Sequence, residues 1–193
     1  MSIARWRLVD IVVTSVIAVA FGVVFWAWGQ LWNSLDGVFT FYAPAQAIMY
    51  GVWLVPGVLA ALIIRRIGAS LYAEFLAALI SVQLGSAWGW VAVIQGAAQG
   101  AASEIGFAAS GYRSWRTPFA LLSALLAGLT ATLFDAFHYY PETSWLTYRI
   151  PYILMGTASS VAVAGVGSVL LVRALAPTGV LDSFPSGRER TAV

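Results

Sequence analysis

Apolar residues fill most of this chain in long runs, and short polar segments between the runs carry most of its charges. A helix that crosses the roughly 30 Å hydrocarbon core of a bilayer needs about 20 predominantly apolar residues. Five runs reach that length, and one further run, residues 67–84, is shorter and contains Glu74. We therefore predict an all-α integral membrane protein, a bundle of six transmembrane helices over residues 9–31, 43–64, 67–84, 88–109, 118–137 and 150–174.

The arginines indicate whether the short run crosses the membrane. Cytoplasmic loops of membrane proteins carry an excess of Lys and Arg. If all six runs cross, nine of the ten arginines fall on one side and Arg149 alone falls on the other. If the short run does not cross, Arg113 and Arg116 change sides and the bias weakens. The sequence thus predicts cytoplasmic N- and C-termini, a membrane domain over residues 1–175 and a polar cytoplasmic tail over residues 176–193.

Composition excludes several classes of function. Only 9% of the residues are charged, against about 25% in an average globular protein. The chain has no Cys and one His, which disfavours a nickel or cobalt site built from soft or imidazole ligands. It has no Lys, so it lacks the Lys-containing phosphate loop, and any ATP hydrolysis would belong to another subunit. Arginines placed between apolar runs indicate topology rather than nucleic-acid binding. We expect no cofactor and no metal.

Four acidic residues fall within the predicted helices, where an ionisable side chain costs a few kcal/mol and is by default a functional hypothesis. Asp10 lies beside the N-terminal arginines and is interpreted as an interface or capping residue. Glu74 follows an arginine pair, so a structural ion pair is favoured over a binding role. Glu104 lies in the inner half of the fourth helix, and Asp135 lies near the outer end of the fifth.

Amides and aromatic rings converge at one depth, towards the outer side of the predicted bundle. Gln95 and Gln99 share one helix face because they are four residues apart. Aromatic rings at this depth are also typical membrane anchors, and amides also join helices. Amides from three helices together with Asp135 nevertheless favour a pocket for a small, flat ligand. The substrate-binding candidates are Trp28, Gln46, Tyr50, Gln83, Trp88, Trp90, Gln95, Gln99, Glu104, Asp135, His138 and Tyr152.

Small residues recur at intervals of four on three of the predicted helices. Gly96 and Gly100 form a GxxxG pattern, and the sixth helix repeats small residues from Gly156 onwards. Small residues let helices approach closely in lipid. Internal packing is the favoured interpretation for the fourth helix, whereas Ala18 and Gly22 on the first helix could instead form a docking face for a partner membrane protein.

Five stretches spread over nearly the whole chain carry a family resemblance: IVVTSVIAVAFGVVF (11–25), YGVWLVPGVLAALIIRRIGASLYAEFLAALI (50–80), QG followed by Glu104 (99–104), LFD (133–135) and TGVL (178–181). With its short hydrophobic chain and six predicted helices, the protein resembles the substrate-binding S component of an energy-coupling factor (ECF) transporter. It is most similar to the YkoE family, associated with thiamine or its hydroxymethylpyrimidine precursor. One departure is Gln83, which stands where the family pattern leads us to expect a carboxylate.

The resemblance implies that the protein captures a vitamin outside the bacterial plasma membrane. Delivery would then require a coupling transmembrane subunit, which could dock at Ala18 and Gly22, and two ATP-binding-cassette ATPases. Asp135, or Glu104 in a deeper pocket, would offset the thiazolium charge. The glutamines at 83, 95 and 99 would hydrogen-bond the aminopyrimidine. The residues expected to stack on the ligand or cap it are Trp28, Tyr50, Trp88, Trp90 and His138.

Three alternatives stay open at this point. A membrane enzyme could use His138 and Asp135, three residues apart, as an acid–base pair, although no nucleophile lies beside them. A structural or assembly subunit would bind no ligand of its own. Within the transporter class, a different vitamin is the remaining alternative.

Overall fold

Six long helical segments form the protein, and short turns connect most of them. The computed structural model describes residues 5–188 of the 193-residue chain, and no β-strand occurs in that range. The segments are α1 (Leu8–Ser34), α2 (Ala43–Ile64), α3 (Ala69–Gln83), α4 (Gly89–Ala108), α5 (Thr117–His138) and α6 (Trp145–Thr178), followed by a short helix over Pro185–Arg188. The predicted all-helical fold is confirmed.

Four of these helices, α1, α2, α5 and α6, are long and apolar enough to cross a membrane. Helix α3 has 15 residues, about 22 Å at 1.5 Å per residue, which is shorter than a bilayer core of about 30 Å. Helix α4 has 20 residues, but two amides and a carboxylate interrupt its apolar sequence. The count of six spans therefore stays a prediction.

Two of the long helices are not regular α-helices along their whole length. Helix α2 begins as a 3₁₀-helix over Ala43–Leu54 and continues as an α-helix over Val55–Ile64. Helix α6 contains a π-helical segment over Ser160–Val166. Ser159 joins the irregular parts, because its hydroxyl accepts from the Gly51 amide and donates to the carbonyl of Ile48.

Small residues set the closest helix contacts. A Cβ at Gly100 would lie 2.9 Å from the Cα of Leu71, so α4 lies directly on the backbone of α3. This confirms internal packing for the GxxxG pattern. A Cβ at Gly22 would lie 2.5 Å from the Cβ of Ile80, and Ala18 is fully buried. The predicted docking face at Ala18 and Gly22 is therefore wrong, because these residues face α3 inside the bundle.

Charged groups collect at one end of the bundle, here called the arginine end. The Asp10 carboxylate accepts hydrogen bonds from Arg7 at 2.6 Å and from Arg66 at 3.1 Å, which confirms its structural role. The chain returns to the same end after α6, where the Ser186 hydroxyl donates to the carbonyl of Ile63 at 3.1 Å.

The segment after α6 is not a free polar tail. Leu181 and Phe184 are each 3% exposed and belong to the main hydrophobic core. The prediction of a free polar tail is therefore wrong at Leu181 and Phe184, whose side chains pack into the core, while the cytoplasmic location of the segment stays a prediction. Residues 189–193 lie outside the described range, and with them Arg190, which entered the arginine count.

Candidate functional site

A cavity of about 300 Å³ opens at the end of the bundle opposite the arginine end. All six long helices contribute to its wall, from Phe25 on α1 to Tyr152 on α6. Ligand pockets in proteins span roughly 300–1,000 Å³. The cavity therefore fits a small molecule of the size of one or two rings.

A buried carboxylate forms part of the cavity wall. Asp135, near the end of α5, is 6% exposed. Its Oδ1 accepts from the side-chain amide of Gln95 at 2.7 Å, and its Oδ2 accepts from the hydroxyl of Tyr152 at 2.7 Å. The same Gln95 nitrogen lies 2.6 Å from the hydroxyl of Tyr50. Because a buried carboxylate needs such donors, three helices are fixed around one negative group.

Aromatic rings surround this carboxylate. The Trp53 ring lies 5.1 Å from Trp32 and 5.5 Å from Tyr50 and from Trp88, measured between centroids. Trp88 packs against the bare backbone of Gly29, where a Cβ would come within 2.6 Å of the indole. Tilted and edge-on rings expose π-faces that bind flat heterocycles and cations.

A second carboxylate lies directly behind the wall. Glu74 on α3 is 1% exposed, and its Oε2 accepts from the side-chain amide of Gln99 at 3.1 Å. Its Oε1 accepts from the backbone amide of Gly57 at 2.9 Å. The predicted ion pair between Glu74 and the arginine pair is wrong, because Arg66 reaches Asp10 at the far end of the bundle.

One cavity hydroxyl has no protein partner. The Tyr139 side-chain oxygen is enclosed, and nothing within residues 5–188 hydrogen-bonds to it. Burial and the nearby Asp135 carboxylate raise the pKa of Tyr139 to about 12, so this hydroxyl is protonated at neutral pH. Because its oxygen is enclosed in the ligand-free protein, a ligand would reach it only by displacing a neighbouring side chain.

Known proteins resemble this chain over most of its length. Residues 9–130 match the family described as the permease component of an ABC-type cobalt transport system. The chain is 30% identical over 190 residues to the Bacillus subtilis (strain 168) protein named "Putative HMP/thiamine permease protein YkoE", covering 95% of this chain and 92% of that one. A crystal structure of an S component of an ECF transporter superposes with a TM-score of 0.91 at 30% identity, covering 97% of this chain and 94% of the other.

The chain belongs to the YkoE family of ECF-transporter S components. The S component is a multi-pass membrane protein of a transport system and not an enzyme, so the acid–base interpretation of His138 and Asp135 is wrong. The two side chains also differ in environment, because His138 is exposed beside Phe134 while Asp135 is buried in the cavity.

Half of the twelve predicted binding residues line the cavity of this S component: Tyr50, Trp88, Gln95, Gln99, Asp135 and Tyr152. Five of them lie on four helices, and Trp88 directly precedes α4; all six meet at one depth, as the pattern of amides and rings predicts. Whether they bind the ligand stays a prediction.

Three of the other candidates, the half-buried Trp28 and the buried Gln46 and Glu104, lie away from the cavity. Trp28 donates to the carbonyl of Met49 at 2.9 Å. Gln46 donates to Asp36 at 2.8 Å and to the carbonyl of Trp32 at 2.9 Å. Glu104 is held in a separate polar cluster nearer the arginine end.

That cluster explains the position of Glu104. Its Oε1 accepts from the amide of Ser70 at 2.7 Å, and its Oε2 accepts from the hydroxyl of Tyr112 at 3.0 Å. Glu104 thus connects the start of α3 to the turn after α4, so its hydrogen bonds stabilise the fold.

The last three candidates lie on the surface of the S component. Gln83 is exposed at the end of α3, and His138 is exposed at the end of α5. Trp90 is 64% exposed, which suits a ring at a membrane interface. The depth of these side chains matches the prediction, but the helices turn them away from the cavity.

Trp53 lines the cavity but is not among the predicted binding residues, whereas Gln46, four residues before Tyr50, would share the face of Tyr50 in an α-helix. The reason is the 3₁₀ geometry of Ala43–Leu54. Residues three apart eclipse each other in a 3₁₀-helix, so Trp53 follows Tyr50 into the cavity and Gln46 turns aside. Phe25, Trp32, Tyr139 and Tyr140 also line the cavity, and only their aromatic character at the right depth could have indicated them.

Proposed function

We propose that this S component captures thiamine, or its hydroxymethylpyrimidine precursor, from the outer side of the bacterial plasma membrane. A membrane coupling subunit and two ATP-binding-cassette ATPases then complete the import. In this proposal all six helices cross the bilayer, the cavity faces outwards, and the arginine end with both chain termini faces the cytoplasm.

The observation that carries the proposal is the buried Asp135 carboxylate inside an aromatic cavity. Thiamine joins a permanently cationic thiazolium to a flat aminopyrimidine, so it needs both a negative group and rings on which to stack. The amides of Gln95 and Gln99 add polar contacts for the edge of the pyrimidine. Neutral hydroxymethylpyrimidine would use the rings and amides alone.

The name of the Bacillus subtilis relative supports the same ligands. The cobalt in the description of the matching family fits the residues less well. A cobalt site takes imidazole or thiolate ligands readily, but the chain has no Cys, and its single His, His138, is exposed outside the cavity.

The arrangement of the chain ends supports the proposed orientation. Arg7 before α1, Arg66 after α2 and the segment around Ser186 meet at one end of the bundle. An even number of crossings requires both chain ends on one side, and the excess of arginines there matches the cytoplasmic side.

The test is tryptophan fluorescence of the purified, ligand-free protein titrated with thiamine, hydroxymethylpyrimidine, riboflavin and biotin. Trp32, Trp53 and Trp88 line the cavity, so a bound ligand should quench the emission. Saturable quenching by submicromolar thiamine or by the pyrimidine supports the proposal and separates the two ligands. Quenching by riboflavin or biotin alone would favour a different vitamin, and no response to any ligand would contradict the proposal.

A matched pair of variants controls this titration. The double variant Gln95→Ala and Gln99→Ala removes both cavity amides and should abolish quenching. Gln30→Ala removes an exposed amide from α1 and should bind as the parent does. Equal loss in both proteins would indicate a general effect on folding.

A further inference from the structure

We propose that Glu74 is a positioning residue that fixes the side-chain amide of Gln99 so that its carbonyl oxygen faces the cavity. The wall at α4 then accepts hydrogen bonds from the ligand and selects ligands that donate there, such as an aromatic ring with an exocyclic amino group. This inference rests on the proposed function, because it specifies how the same cavity chooses its ligand.

The orientation of Gln99 follows from the partners of its nitrogen. Nε2 lies 3.1 Å from Oε2 of Glu74 and 3.3 Å from the carbonyl oxygen of Trp53. The backbone carbonyl of Trp53 can only accept, so it fixes Nε2 rather than the oxygen of Gln99 on this side, and Oε2 of Glu74 accepts the second hydrogen. Both amide hydrogens of Gln99 therefore have acceptors within the protein.

The carbonyl oxygen of Gln99 is the group that remains. Within residues 5–188 no group donates a hydrogen bond to this oxygen, and the oxygen is not fully enclosed by protein atoms. Gln99 itself lines the cavity and is 5% exposed. Its free oxygen is thus open to the cavity.

Gln95 has the same polarity one turn away. Its Nε2 has acceptors at 2.7 Å on Asp135 and 3.4 Å on the carbonyl of Ala131, besides the Tyr50 hydroxyl at 2.6 Å. The two hydrogens of this nitrogen already have three oxygens as possible acceptors, so the carbonyl oxygen of Gln95 also has no partner in the protein. Two acceptors four residues apart on α4 match a ligand edge that carries N–H donors.

The hydrogen-bonding pattern of Glu74, and not only its size, determines which way the Gln99 amide faces. The Gly57 amide occupies Oε1 at 2.9 Å, which leaves Oε2 for Gln99. An amide at position 74 would keep its oxygen on Gly57 and turn its NH₂ group towards Gln99. The Gln99 side chain would then present its own oxygen to that NH₂, give up its long 3.3 Å bond to the Trp53 carbonyl and turn its nitrogen to the cavity, which reverses the polarity of the wall.

The first experiment compares thiamine with oxythiamine, in which a carbonyl oxygen replaces the 4-amino group. The parent should prefer thiamine by at least about tenfold, since the wrong partner leaves buried polar groups unmatched. Glu74→Gln should reduce that preference by about tenfold or more. A role that is only structural would lower both affinities and leave their ratio unchanged, and that outcome would overturn the inference.

Glu104→Gln is the matched control. Glu104 is a second buried carboxylate that accepts from a backbone amide, at Ser70, but it lies outside the cavity wall. We expect its variant to keep the parent's ratio of thiamine to oxythiamine affinity. A similar change of ratio in both variants would also overturn the inference.

A second arm needs no ligand and separates this inference from the proposed function. Gln99→Glu places a second carboxylate against Glu74 and should lower the midpoint of thermal unfolding in detergent. Adding Glu74→Gln restores a donor opposite that carboxylate and should recover part of the lost midpoint. No recovery would contradict the contact between positions 74 and 99. A parent that binds none of the vitamins would contradict the proposed function, and the unfolding series would still decide whether Glu74 orients Gln99.

Discussion

Replacing Asp135 by Asn removes one negative charge from the cavity and little else. The carboxylate accepts at Oδ1 from Gln95 and at Oδ2 from Tyr152. In the variant, the amide oxygen can keep the bond to Gln95, and the amide NH₂ can donate to the Tyr152 hydroxyl, which accepts as well as donates. The hydrogen-bonded network therefore survives, and the variant isolates the contribution of the charge.

The size of the expected effect follows from Coulomb's law. Opposite charges about 4–8 Å apart interact by about 2–4 kcal/mol at an effective dielectric constant of about 20. We expect Asp135→Asn to weaken the binding of cationic thiamine by roughly 30- to 1,000-fold. Neutral hydroxymethylpyrimidine should lose no more than about threefold, because the variant keeps the polar contacts.

Tryptophan quenching or calorimetry with both ligands measures the two dissociation constants. Glu142→Gln is the control, because Glu142 is an exposed carboxylate in the segment between α5 and α6, and surface charges contribute little. Equal losses for thiamine and the pyrimidine in Asp135→Asn would refute the assignment of the charge. Unchanged thiamine affinity would mean that the ligand cation lies elsewhere.

Three further variants test the cavity and its support. Gly29→Ala places a methyl group where the Trp88 indole lies, 2.6 Å from its ring, so the ring should shift and vitamin affinity should fall about tenfold; unchanged affinity would contradict the packing. Tyr139→Phe removes a hydroxyl without a protein partner and should lower vitamin affinity roughly two- to tenfold. The loss should be equal from pH 6 to 9, because the hydroxyl stays protonated over that range. An effect confined to high pH would contradict this prediction. Gly100→Ala places a Cβ 2.9 Å from the Leu71 backbone and should lower the stability of the ligand-free protein by about 1–3 kcal/mol, as a thermal scan in detergent would measure.

The sequence was sufficient to predict the helices and the depth at which the cavity-lining residues lie. Long apolar runs leave helices as the only plausible spanning structure, and the positions of Gln95, Gln99 and Asp135 along their helices indicate a common level. Depth follows from chain position, because each helical residue advances the chain by a fixed 1.5 Å. Such a prediction holds even where the details of packing are unknown.

The direction in which each side chain points could not be predicted as well. Gln83, Trp90 and His138 lie at the right depth but are exposed, since rotation about the helix axis depends on how neighbouring helices pack. Gln46 lies away from the cavity for a local reason, the 3₁₀ geometry of the first part of α2. In a 3₁₀-helix every third residue lies on the same face, whereas in an α-helix residues four apart share a face. Neither effect is visible in the periodicity of a single apolar segment.

The glycines of α4 and its amides belong to one arrangement. Gly96 and Gly100 flank Gln99 and bring α4 onto the backbone of α3, since a Cβ at Gly96 would lie 2.6 Å from Ala78. Only at this distance does the Glu74 side chain reach Gln99 at 3.1 Å. A larger residue at either glycine would separate the helices and release the amide as well as weaken the packing. If Glu74 orients Gln99 as proposed, the small residues of this segment also act on ligand selection, through the helix spacing.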